Sequence, residues 1–329
     1  RGGRGRLPES PAMSPLPAPL PQPLPLPPGE LVALGCALCL ACAGIRERRR
    51  LERARARVPI RIHVNGTRGK SDVTRLIAAG LRRAGVRTLG KSTGTAARWL
   101  LPDGTEEPVR RRWGRARIQE QVLAVERAAA LGCEALVVEC MALRPEYQHA
   151  TEHLMLKSTI GVITNARPDH GDVMGWERAD VARSLSNTVP VGGILICGDA
   201  FVYDEMRDVA RRRGTEIRLA ELPPQLMSPT PRVTSPLLQL HPRENVAVAL
   251  TVLACLGIAP GALLAAAGTF APDPGAARWT ACSRSAAATE PVVLLDALAA
   301  NDPDSLELVV RRVLGRWLPA GVVAIFHHR

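Results

Sequence analysis

At 329 residues the chain is long enough for two domains, and a 46% share of hydrophobic residues supports a sizeable core, which excludes a disordered protein. The formal net charge is +12, carried almost wholly by arginine, since lysine occurs only at Lys70, Lys91 and Lys157. Arg, Ala, Gly and Pro together read in part as coding bias, and an aromatic share of 3% leaves little for base stacking; a polyanion or an acidic membrane surface ranks above nucleic acid, and no specific nucleic-acid partner is expected.

Residues 1–30, with "SPLPAPLPQPLPLPPG", read as a proline-rich flexible arm that builds no packed element. Residues 31–57 pair the uncharged run "LVALGCALCLACAGI" with the basic run "RERRRLERARAR". As a helix the fifteen apolar residues span about 22 Å against a hydrocarbon core of about 30 Å, so crossing needs local thinning or flanking help. The expectation is a membrane anchor rather than a buried helix, with the arginines holding the remainder in the cytoplasm. Cys36, Cys39 and Cys42 have iron–sulfur-like spacing but no fourth cysteine followed by proline, so they read as small apolar helix residues. The other five cysteines lie in apolar stretches and read as reduced core residues.

From residue 58 the pattern alternates strands and helices. Strands are expected over 60–65, 86–89, 135–139, 159–165 and 192–197, and helices over 70–84, 118–131, 177–187 and 244–256. Continuous apolar strands alternating with helices imply an α/β fold with a mostly parallel sheet covered on both faces. Residues 58–275 form the expected nucleotide-binding domain. The strand "PVVLLD", a helix over 305–314 and "GVVAIF" then start a second α/β domain over 276–329, too short to be complete.

The chemistry concentrates in "VNGTRGKSDVTRL", residues 64–76. Val64 stands where a long phosphate loop has its leading glycine, yet the segment joins a strand to a helix, the placement that lets backbone N–H groups and the helix dipole hold phosphates. Gly66 and Gly69 permit close approach, Lys70 can reach β- and γ-phosphates, and Ser71 can ligate Mg²⁺.

The shortened loop G-T-x-G-K-[ST] resembles that of the Mur ligase superfamily, which includes the folylpolyglutamate synthetases. The resemblance implies a P-loop, Mur ligase-like central domain followed by a Rossmann-like one, with ATP and Mg²⁺ bound by Gly66, Thr67, Arg68, Gly69, Lys70 and Ser71. Other segments match in order. "VVECMALRPEYQ" places Glu139 as a Mg²⁺ ligand, and "GVITNARPDHGDVMG" supplies Asn165, Asp169, His170 and Asp172, with His170 as ligand of a second Mg²⁺. "HPRENVAVAL" offers Asn245 to adenine, "APDPGAARW" offers Arg278 to the γ-phosphate, and "DALAANDPDS" places Asp296 near the ribose. Several Mur-type enzymes carry a carbamylated lysine after the D-H pair; no lysine follows Lys157 here.

Within the superfamily the wording, including "KSTGTAAR", is closest to the CapB/PgsB ligase subunits of poly-γ-glutamate synthase. That implies a bacterial membrane-associated ligase with its catalytic domain in the cytoplasm, joining glutamate to a poly-γ-glutamate chain through an acyl phosphate and working with small membrane subunits. Lys70, His170 and Arg278 are then the expected catalytic residues, and "RRRWGRAR", residues 110–117, is either a track for the polyanion or a solvated loop. The alternatives are another Mur-type ligase, acting on a folylpolyglutamate or a peptidoglycan precursor, and a P-loop regulatory subunit that binds ATP without ligation.

Overall fold

The computed structural model describes residues 27–94, 96–111, 114, 116–226, 237–238, 241–267, 278–282, 292–296, 307 and 310–311. Two compact units divide the chain, residues 1–48 and residues 49–329. Helix α1, Pro28–Arg57, starts in the first. It is 30 residues long, because the arginines after the apolar run are good helix formers and carry the helix on without a break. Its apolar portion is long and hydrophobic enough to cross a membrane, with none of that window buried.

The second unit is built on an eight-stranded sheet with the order β4-β3-β2-β5-β1-β6-β7-β8. The strands are β1 (Ile60–Asn65), β2 (Thr88–Ser92), β3 (Arg98–Leu100), β4 (Glu106–Pro108), β5 (Ala135–Glu139), β6 (Ile160–Ile163), β7 (Ile194–Cys197) and β8 (Glu216–Leu219). From β2 to β8 every neighbouring pair is parallel. β3 and β4 extend the sheet antiparallel beyond β2.

Side-chain alternation sorts the strand residues onto two faces. Ile62, Val64, Val137 and Val162 pack beneath α2 (Lys70–Arg83) and two later helices, here α8 (Arg243–Cys255) and α9 (Pro260–Ala266). On the other face Leu89, Leu136 and Val138 pack against α3 (Glu120–Ala130), joined by Leu51 and Ala54 from the end of α1. Ile163, Leu195 and Cys197 pack against α6 (Arg178–Leu185) and α7 (Ala200–Arg212). Each buried Val, Leu or Ile contributes about 1.5–3 kcal/mol, so both layers are needed. Between β5 and β6, α4 (Pro145–His149) runs directly into a π-helical segment, Ala150–Leu156; between β6 and α6 lies the single turn α5 (Gly171–Met174).

Because β1 lies between β5 and β6, the loops leaving these three strands meet at one edge of the sheet. The chain's crossing from one side of β1 to the other creates the switch point where α/β sheets bind ligands.

β9 (Arg278–Cys282) and β10 (Val292–Asp296) form a separate antiparallel pair. The helix expected over 305–314 is helical at the three residues described within it, and the strand expected over 321–326 lies outside the described residues.

Candidate active site

The loop after β1 is fixed by the loop after β6. Asn165 Oδ1 accepts from Thr67 Oγ1 at 2.7 Å and from Arg68 N at 3.1 Å, while its Nδ2 donates to Arg68 O at 3.1 Å. Thr164 Oγ1 donates to the same carbonyl at 2.6 Å, and Thr67 N donates to Asn165 O at 3.1 Å. Gly66 has φ +128°, and a Cβ there would stand 2.1 Å from Thr164 Oγ1. No side chain fits at that position.

Gly69, at φ +81°, is the residue from which α2 starts. Lys70 curls back over the loop, its Nζ donating to Gly66 O at 2.7 Å and to Thr67 O at 3.3 Å. These are neutral acceptors, which a phosphate oxygen would outcompete for an ammonium.

Ser71 and Glu139 come together. The hydroxyl donates to Glu139 Oε2 at 2.9 Å, and Thr93 N donates to the same oxygen at 2.6 Å. Both side chains are buried. A hydroxyl and a carboxylate at the first turn of a phosphate-loop helix form a hard-oxygen pair suited to Mg²⁺, and the hydroxyl proton bridges them.

Asp169 lies 3.6 Å from Arg68 Nη2, which brings the loop after β6 alongside the phosphate loop. His170 is half exposed, takes a left-handed conformation at φ 49°, and has Nε2 3.8 Å from Asp169 Oδ1. Asp172 sits in the first turn of α5. Among the described residues no three His, Cys, Asp or Glu side chains gather as a metal cluster, so Ser71 and Glu139 meet while His170 is grouped with Asp169.

Asn245, at the start of α8, lies against Gly69: a Cβ on that glycine would be 2.5 Å from Asn245 Oδ1. Its Nδ2 donates to Asp72 Oδ2 at 2.8 Å, and His241 Nδ1 is 2.6 Å from Asp72 Oδ1. Arg278 and Asp296 are cross-strand partners on β9 and β10.

The PGA synthase CapB of Bacillus subtilis (strain 168) is 34% identical over 289 residues, spanning 86% of this chain and 70% of that protein. The chain belongs to the CapB family. The capsule biosynthesis protein CapB of Bacillus anthracis is 36% identical over 286 residues, 84% of this chain, and the chain spans 59% of that relative's length. Among solved structures, FolC of E. coli in complex with DHPP and ADP aligns with a TM-score of 0.54 at 18% identity, covering 83% of this chain and 70% of that one. The bifunctional folylpolyglutamate synthase/dihydrofolate synthase of Yersinia pestis complexed with AMPPNP and Mn gives 0.54 at 18%, covering 81% and 70%. These likenesses establish the Mur ligase fold. No family model matches the chain.

Beside the phosphate loop this CapB-family chain carries an ion cluster with no role assigned from sequence. Lys91, fully buried at the end of β2, has Nζ 3.1 Å from Glu120 Oε2, and Arg111 Nε donates to Glu120 Oε1 at 2.8 Å. Burial pulls the Lys91 ammonium below its ordinary value, opposed by Glu120. Burial would raise the Glu120 carboxyl, but Arg111 and Lys91 outweigh it and hold it low. Lys91 stands in the "KSTGTAAR" segment, the one signal that pointed to it. Asp72, Thr93 and His241 also lie within matched segments, yet their roles do not show there, since each acts through a partner distant in sequence.

Proposed function

We propose that this CapB-family chain is an ATP-dependent amide ligase that adds glutamate to a poly-γ-glutamate chain through an acyl phosphate. The observation that carries the reading is its 34% identity, over 86% of its length, to a protein named as a PGA synthase. The loop built on Gly66, Thr67, Arg68, Gly69, Lys70 and Ser71 supports the ATP half of it.

A carboxylate of the acceptor attacks the γ-phosphorus of ATP in line, forming a C–O–P bond as the bond to ADP breaks. Lys70 leaves the Gly66 and Thr67 carbonyls for the phosphate oxygens, and the loop N–H groups with the start of α2 hold the remaining charge. Ser71 and Glu139 would hold Mg²⁺, with His170 as the ligand for a second ion across the loop. Bound there, Mg²⁺ supplies neutralisation of charge on the transferred group. The amine of an incoming glutamate attacks the acyl carbon, a C–N bond forms, phosphate leaves with the C–O electrons, and the amine sheds a proton.

Asn245 reads adenine in this scheme. Arg278 and Asp296, cross-strand partners on β9 and β10, take the γ-phosphate and the ribose in the same scheme, as the family resemblance implies. The apolar portion of helix α1 anchors the chain, with its catalytic part in the cytoplasm. Small membrane subunits complete the export path. The test is glutamate-dependent ADP release by the full chain with membranes present. Lys70→Ala abolishes it with the fold intact, and undiminished release in that variant would sink the reading.

A further inference from the structure

Asp72 faces sideways from the first turn of α2. Its two carboxylate oxygens take one donor each: Oδ2 is 2.8 Å from Asn245 Nδ2, and Oδ1 is 2.6 Å from His241 Nδ1. All three side chains are buried or nearly so. A carboxylate has acceptors only, so the group that Asn245 turns to it must be the NH₂ end. The amide is thereby fixed. Its carbonyl and its second N–H are left at Gly69, the last residue of the phosphate loop.

We propose that Asp72 is a specificity-determining positioning residue: by locking the Asn245 amide through the His241–Asp72–Asn245 chain, it sets the site to take a 6-aminopurine nucleotide and reject a 6-oxopurine one. This deepens the ATP reading given above and rests on it. An oriented acceptor beside one N–H donor matches the N6-amino and N7 groups of adenine, the pairing Asn makes with that base edge. Hypoxanthine has an oxygen at position 6, which would face the Asn245 carbonyl, acceptor against acceptor. Were Asp72 an asparagine, it could donate as well as accept, so the Asn245 amide could turn over; adenine would then lose both contacts, NH₂ facing its amino group and the carbonyl facing N7, whereas hypoxanthine would gain one at O6 and lose one at N7.

The experiment is equilibrium binding of ATP and of ITP, each with Mg²⁺, to the full chain and to Asp72→Asn. The unaltered chain binds ATP in preference. In Asp72→Asn the ATP:ITP ratio falls by about tenfold, the scale of one base-edge contact, because ATP affinity falls while ITP affinity is kept, a pattern misfolding cannot produce. Asp72→Glu, still acceptor-only, keeps the preference. A ratio unchanged in Asp72→Asn overturns this assignment alone. Absence of ATP binding by the unaltered chain overturns the ligase reading and the assignment with it. Should Asp72→Asn not fold, the Asn245 carboxamide protons of the unaltered chain decide by NMR: slow exchange with solvent supports the lock, and exchange at the rate of a free amide overturns it.

Discussion

Ser71 and Glu139 stand 68 positions apart in the chain and 2.9 Å apart in the fold. The contact exists because β1 and β5 are parallel neighbours in register, Val64 opposite Glu139, so the helix that follows β1 begins where β5 ends. Glu139 is also held by the Thr93 backbone. Three loops therefore meet at one carboxylate.

Replacing Glu139 by Gln keeps the size and the hydrogen bond from Ser71 but removes the charge that a divalent cation requires. Glutamate-dependent ADP release is expected to fall about 100-fold, the usual scale for losing one fixed electrostatic partner of a developing charge, and the Mg²⁺ concentration for half-maximal rate is expected to rise. A magnesium titration of both proteins checks this. An identical Mg²⁺ requirement would place the metal elsewhere.

Gly69→Ala meets two costs at once. The positive φ disfavours any Cβ by about 1–2 kcal/mol, and here the Cβ would also meet the Asn245 amide at 2.5 Å. Gly132 supplies the control, with φ +64° and nothing within 4 Å of an added Cβ. Both alanine variants should lose stability in urea unfolding, Gly69→Ala the more, and only Gly69→Ala should lose nucleotide binding. Equal losses in both assays would mean that the contact with Asn245 carries no weight.

The central strands and the phosphate loop were legible because burial on both faces writes itself as continuous apolar runs, and because a strand–glycine–helix junction is local. β1 and β5 carry the expected limits, whereas β2 starts and ends later than the expected 86–89, taking Lys91 into the sheet. β3 and β4, three residues each, are too short for periodicity to show. The π-helical segment 150–156 was likewise unread, since its buried Glu152 breaks the apolar pattern and is explained by its partners His63 on β1 and Ser158. At the site, residues in the loop announced themselves. The roles of Asp72, His241 and Lys91 did not show, because their partners come from other elements.

Deleting residues 28–45 should transfer the protein from the membrane pellet to the supernatant while glutamate-dependent ADP release persists with a soluble acceptor. The remaining helix keeps its own attachments: Leu51 and Ala54 are buried against α3, and Arg55 Nη1 donates to Leu154 O at 3.1 Å. Sedimentation and the ADP assay together decide. A truncated chain that still pellets with lipid would show that another surface holds the membrane.

His63 and Glu152 form a buried pair, Nδ1 to Oε2 at 2.8 Å, with Ser158 N and Oγ also donating to Glu152 at 2.8 and 2.9 Å. Burial alone would pull the imidazole down, but Cys140 and Glu152 outweigh it and raise His63 to about 10. Burial would push Glu152 up, and His63 with Ser158 outweighs that and holds it below its ordinary value. The His63 contribution to stability is complete below the ordinary histidine value of about 6.5 and is lost as pH rises toward about 10. The Glu152 contribution is complete above its ordinary 4.5 and is lost as pH falls below it. The pair therefore stabilises most between those two values. Urea unfolding at pH 6 and pH 9 should show a drop in the unaltered chain. Glu152→Gln should be less stable by about 3–5 kcal/mol at pH 6, as when one member of a buried ion pair is removed, and should lose part of the alkaline drop because only Cys140 then favours protonated His63. A variant that keeps the full drop would assign the pH dependence to some other group.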